Sequence, residues 1–292
     1  MDLADTVGRF SKHFLFGLQK LFDGIDFMRK EKLWKGVFRY GFVGSFMVLV
    51  GLFVGIKFIN VFVNWYHSMD ASSASGLASS IGNLFASLGS EGYELFFLGG
   101  MKYVVLIIME VVIFHFVRRT ITILSGEEQE ANFKAFVAAE IRMIKVSFIA
   151  FVLETIFSSI AQLGLGLVGL HFLKPVAAFG IQCYFLGWVV IDNYFELYGM
   201  KIKPSLAATK YYAGLSVVLG LALYILLLIP LIGAFLAPLF GAVVATLAMY
   251  ELQNRDDQMM KIIPDFGMDQ TTMPAMNYVE SKTVTSDLED HF

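Results

Sequence analysis

From Ala213 to Tyr250 the chain runs for 38 residues without a single Asp, Glu, Lys, Arg or His. A helix that crosses the hydrocarbon core of a bilayer needs about 20 residues. This run is about twice that length. Near its middle lies Pro230, which has no amide hydrogen to donate and breaks a continuous helix. The run therefore predicts a tight helical hairpin, with arms Ala213–Ile229 and Leu231–Tyr250. Arms of this length suit two depths equally: a hairpin that spans the membrane, or one that penetrates it halfway.

The rest of the chain is similarly short of water-facing residues. Hydrophobic types make up 57% of its 292 residues, charged types 16%, and mean hydropathy is +0.67. Soluble domains run at about 45–50% apolar and about 25% charged. In hydrocarbon every backbone polar group must be satisfied inside its own element, which favours helices. The predicted fold class is an all-α integral membrane protein. Its parts are an N-terminal amphipathic helix, two long transmembrane helices and two helical hairpins, spanning or hemi-penetrating.

Three regions follow. Residues 1–39 read as a cytoplasmic interfacial segment, where Phe10, Phe14, Leu18, Leu21, Phe22 and Ile25 recur at helical spacing while Lys12 and Lys20 fall elsewhere. A soluble helix packing on a partner would show the same pattern. Residues 40–252 read as one helical transmembrane domain. Its spans run from about Tyr40 to Tyr66 and from Leu95 to Leu124, separated by a Ser/Ala/Gly-rich stretch. In that stretch Leu77, Ile81, Leu84 and Leu88 predict a short helix. A polar connector, Ser125 to Lys145, leads to a first hairpin (Val146–Leu170 and Pro175–Tyr198). A short loop with Lys201, Lys203, Pro204 and Lys210 leads to the second. Residues 253–292 are acidic and too poor in apolar surface to fold alone, so they read as a disordered cytoplasmic tail.

Basic residues give the orientation. Eight Lys and Arg precede Tyr40, none lies between His67 and Glu94, five fall in Arg118–Lys145 and three in Met200–Tyr212. Cytoplasmic loops carry the excess of Lys and Arg, so both termini are expected in the cytoplasm.

The chemistry-bearing residues are few. No nucleophile elbow, P-loop, zinc spacing or dinucleotide fingerprint occurs, and the five histidines are scattered. An enzyme, a metal centre and a bound cofactor are not expected. There is no basic stripe with interleaved aromatics to hold nucleic acid. Ionisable groups inside apolar runs are costly, and so mark pathways or helix-clamping pairs. They are Lys102, Glu110, His115, Glu154, Asp192 and Glu196. One reading lines them up as a polar pathway. The other pairs the acids with bases such as Lys102 and Arg142. Carboxylates in a row would repel a divalent anion. An anion path would instead use Lys32, Lys35, Gly36 and Arg39, ahead of the first span, or plain helix N-termini.

The second half resembles the CysZ-type sulfate permeases, which share a domain family with a eukaryotic endoplasmic-reticulum membrane protein. The likeness rests on Asp192 with Tyr194 and Phe195, on the Ile229-Pro230-Leu231 corner, and on Pro238 followed by Ala245 and Thr246. It departs from the family before the first span. There the family's Gly-Leu-Arg-like turn is replaced by Lys32-Leu33-Trp34-Lys35-Gly36-Val37-Phe38-Arg39. The resemblance implies an inner-membrane permease or channel for an inorganic anion, with sulfate as the candidate, in contact with membrane lipid. The difficulty two short hairpins have in burying their own polar residues adds the expectation of a homo-oligomer. Two other functions stay open: a non-transporting membrane-organising or stress-response protein of the same fold, and a proton- or cation-coupled transporter using the intramembrane acids.

Overall fold

The computed structural model describes residues 3–33, 63–69, 73–93, 100–127, 133–229 and 233–255. Among these residues every regular element is helical. In chain order they are α1 (Leu3–Glu31), α2 (Ala74–Tyr93), α3 (Met101–Ile108), α4 (Glu110–Ser125), α5 (Phe133–Leu167), α6 (Lys174–Leu197), α7 (Ile202–Tyr211), α8 (Ala213–Leu227) and α9 (Gly233–Arg255). Among the described residues two helical segments are long and apolar enough to cross a membrane, His171–Leu197 and Gly233–Asn254. Helices α7 and α8, bent by 99° where they meet, make a third if taken as one span. The predicted first span up to residue 62, the Lys35–Arg39 stretch, Pro230 and the tail beyond Arg255 lie outside the described residues.

The bundle is organised around α6. From Phe185 to Phe195 each residue is buried, which is what a helix that is apolar all round requires. Two glycines bring α8 against it at backbone distance. A Cβ on Gly187 would lie 1.9 Å from the Ser216 carbonyl oxygen, and one on Gly220 would lie 1.8 Å from that of Cys183. The pairings 187 with 216 and 183 with 220 run in opposite senses, so the two helices are antiparallel. Close approach of this kind replaces the hydrophobic drive that is missing between helices in lipid.

The outward surface is apolar. Phe148 is 67% exposed, Leu163 68%, Leu167 83% and Phe172 72%, all on α5 or at the turn joining it to α6. In water so continuous a patch would mark an interaction surface or an aggregation hazard. Against hydrocarbon it costs nothing. The surface thus agrees with the spans in making this a helical membrane protein.

Several elements differ from the sequence reading. The polar connector is helical from Phe133 onward, and α5 runs unbroken into the first hairpin arm, because Lys134, Glu140, Arg142 and Lys145 are good helix formers and nothing between them stops the ladder. The short loop before the second hairpin is α7. Its Pro204 sits in the first turn, where the missing amide hydrogen leaves no bond unmade. The described part of the second span is two helices joined at Met109 rather than one. Helix α2 forms where the Leu/Ile spacing placed it, and the Ser73 hydroxyl accepts the Gly76 N–H at 3.0 Å at its start.

Helix α1 forms as expected but packs on a different face. Gly17 lies against Leu215 and Val218, Gly24 against Val244, and Lys20 between them is buried. Phe10, Phe22 and Ile25 from the predicted stripe stay exposed, together with Val7 and Leu15. That leaves one face for the protein and an apolar face for lipid. Lys20 Nζ meets Asp23 Oδ2 at 2.5 Å and Glu251 Oε2 at 2.6 Å, tying α1 to α9. Burial opposes the ammonium charge, but the two carboxylates outweigh it and hold the Lys20 pKa above the ordinary lysine value. A pKa raised by folding adds stability that is present in full below the ordinary value and is lost as pH climbs past the raised one. Glu251→Gln is expected to weaken this tether by about 1 kcal/mol, since Glu251 is part-exposed. The readout is faster protease cleavage within α1 at neutral pH, a difference from wild type that closes at strongly alkaline pH.

Candidate functional site: a buried carboxyl on a polar cavity

Five of the six ionisable residues singled out in the sequence fall into three places, and His115 stands apart from them. The first is an ion pair deep in the bundle. Lys102 on α3 is fully buried, and its Nζ donates to Glu154 Oε1 of α5 at 2.6 Å and to the Tyr224 hydroxyl of α8. The Tyr103 hydroxyl donates to Glu154 Oε2 at 2.6 Å, and Tyr224 donates onward to Gln182 Oε1 of α6 at 2.9 Å. Both carboxylate oxygens are thus satisfied, and the ammonium also faces the rings of Tyr103 and Tyr224. Four helices meet in this network, all its donors supplied from within the protein, as a buried charge requires.

The second place is a clamp at the other end of α6. Arg142 of α5 makes a two-pronged contact with Asp192, Nε to Oδ2 and Nη2 to Oδ1, each 2.8 Å. Its Nη1 donates to the Met200 carbonyl at 2.5 Å. The Ser205 hydroxyl of α7 also donates to Asp192 Oδ1, and Ser205 in turn accepts the Trp188 indole N–H at 3.2 Å. Asp192, which carries part of the resemblance, therefore holds α5, α6 and α7 together. The fork geometry is one that arginine makes and lysine does not.

The third place is a cavity of about 170 Å³ between α4, α5 and α6. Its polar lining is Glu110, Arg118, Asn193 and Glu196, with Phe114 and Ala138 among its apolar walls. Glu110 is the first residue of α4, and 0% of it is exposed; neither carboxyl oxygen has a hydrogen-bond partner. The Arg118 guanidinium lies over the Phe114 ring, 4.4 Å from its centroid. Glu196 is partly open, 21% exposed at its side chain, and reaches to 4.0 Å from Arg142 Nε. Among the described residues Glu110 is thus the buried acid left without a partner, while Glu154 and Asp192 are both paired.

No family model, no curated protein and no solved structure matches this chain.

The remaining predicted residues stand apart from the cavity. His115 is half-buried on α4, its ring 5.8 Å from that of Phe116. Lys32 is exposed and takes a left-handed conformation (φ 50°) that ends α1, while the Leu33 N–H reaches back to the Met28 carbonyl at 3.4 Å. That bond is a helix-terminating one. Lys35, Gly36 and Arg39 lie outside the described residues. Among the described residues no group of three or more His, Cys, Asp or Glu is placed to hold a metal ion. Sequence reasoning did not single out Arg118, Asn193, Tyr103 or Tyr224. Tyr224 and Tyr103 carry no charge, and nothing in their local patterns separates them from lipid-facing aromatics.

Proposed function

We propose that the chain is a multi-pass membrane transport protein whose transport step is linked to protonation of Glu110. One observation carries this reading: a fully buried carboxyl with no partner, on the wall of a cavity, where the other buried acids among the described residues, Glu154 and Asp192, are paired. Such a group costs least as the neutral acid, and a proton can be exchanged for a solute without leaving a bare buried charge. Glu196, part-exposed on the same wall, supplies a route between the cavity mouth and Glu110. A permease for a small inorganic anion such as sulfate is the second reading, favoured by Arg118 on the cavity wall. In both, the chain sits in a bacterial inner membrane with its termini cytoplasmic, surrounded by lipid and associated as a homo-oligomer.

The test is flux in proteoliposomes under an imposed pH gradient, followed with an internal pH dye and with labelled sulfate. Wild type is expected to dissipate the gradient in a solute-dependent way, and Glu110→Gln to slow that movement at least tenfold while inserting normally. Folded wild type indistinguishable from empty liposomes in both channels removes the transport reading. Sulfate entry that ignores both the gradient and Glu110→Gln selects the anion permease instead.

A further inference from the structure

We propose that the Glu110 cavity binds a small primary ammonium ion, a protonated amine with a short alkyl part, in exchange for the proton carried by Glu110. The inference rests on the proton-linked reading of the same cavity and names its solute class.

Charge comes first. The titratable groups on the lining are Glu110, Glu196 and Arg118, which sum to one negative charge when all are ionised. Beyond the lining, the charges that bear on Glu110 come from Glu140 and Arg142 on α5 and from Asp192 on α6. Asp192 and Arg142 already neutralise each other in their clamp, so a second acid, Glu140, tips the surroundings further toward negative. A largely enclosed site with one surplus negative charge accepts one monovalent cation or one proton, and opposes an anion.

Hydrogen bonding narrows the cation. Asn193 uses its Nδ2 on the Val189 and Val190 carbonyls of its own helix, at 3.1 and 3.4 Å. Its Oδ1 takes part in neither of those bonds. Together with the carboxyls of Glu110 and Glu196 it makes three acceptor groups on one cavity, and a primary ammonium brings three N–H donors. The remaining walls, Phe114 and Val117 among them, are apolar and suit a short alkyl group. The volume equals about six waters at roughly 30 Å³ each, enough for a two- to four-carbon amine.

The exchange balances. One proton leaves the Glu110 carboxyl as one ammonium arrives, the carboxylate formed pairs with the incoming cation, and the charge of the site does not change.

Calorimetric titration of the full chain in neutral detergent at pH 7, in two buffers of different ionisation enthalpy, tests this with ethylammonium as the probe. Saturable binding with close to one proton released per ion bound is expected. Tetramethylammonium, with the same charge and no N–H, is expected to bind at least tenfold more weakly, as is sodium. Glu110→Gln and the similarly sized Asn193→Leu are each expected to lose at least tenfold in affinity; the second reports on the site if the first fails to fold. Equal binding of tetramethylammonium or sodium overturns the ammonium assignment. So does heat from sulfate or acetate with none from ethylammonium. Binding without proton release overturns the exchange. Gradient-linked flux without ethylammonium binding rejects the solute class and leaves the proton-linked reading standing. Binding without flux does the reverse.

Discussion

Gly220→Ala is expected to be among the most damaging substitutions a single methyl group can make in this protein. Its Cβ would lie 1.8 Å from the Cys183 carbonyl oxygen and 2.5 Å from the carbon that bears it. Both are backbone atoms of α6, so no side chain can swing aside. Either the helix axes separate or the carbonyl tilts out of its own helical bond. Separation would loosen the interface that α6 and α8 share along their length, including Gly187 on Ser216. Overpacking of a well-filled core costs about 1–3 kcal/mol, and the rigidity of both partners places this case at or above the top of that range. Thermal unfolding of purified protein in detergent measures it. Gly82→Ala, on α2 with nothing within 4 Å of its added Cβ, is the control expected to leave the unfolding temperature unchanged. Equal unfolding temperatures for the two variants would mean that α6 and α8 do not touch as described.

The second large effect concerns Lys102. Lys102→Met removes the only cation that touches Glu154 in the buried network and leaves a carboxylate, 8% exposed at its side chain, with Tyr103 alone. Removing one partner of a buried pair typically costs about 3–5 kcal/mol, because the survivor keeps its desolvation penalty and loses its compensation. Replacing both partners with apolar residues of similar size, Lys102→Met with Glu154→Leu, is expected to recover most of that loss. A double-mutant cycle on unfolding free energies therefore gives a strongly favourable coupling between the two positions. Additive losses would show that the pair is not formed. The same double variant separates structure from function: it should fold, retain the cavity at Glu110, and keep gradient-linked flux.

Part of this was legible from residue order. The all-helical build, the apolar segments His171–Leu197 and Gly233–Asn254 that could cross a membrane, and the helix near Leu84 follow from apolar run length and spacing. Both are local properties that the backbone must obey in hydrocarbon. The list of intramembrane charges was equally legible, since each such residue is an exception to the composition around it. The face that α1 presents was not. The apolar stripe pointed one way, whereas packing was decided by Gly17 and Gly24, whose lack of side chains lets α8 and α9 come close. Helix α7 was missed because its lysines and Pro204 resemble a loop until its buried Ser205 and Thr209 are placed under α6.

Run length and hydropathy by themselves determine that this is a helical membrane protein and which residues would be expensive in its spans. They do not determine which of those expensive residues is compensated. Lys102 finds Glu154 across 52 residues of sequence and Arg142 finds Asp192 across 50. Pairing at that separation is a property of how helices pack, and no local pattern encodes it. Only the tertiary structure decides that Glu110 is left over. An unpaired carboxyl is defined by the partners that fail to reach it, and that depends on how the other helices pack around it.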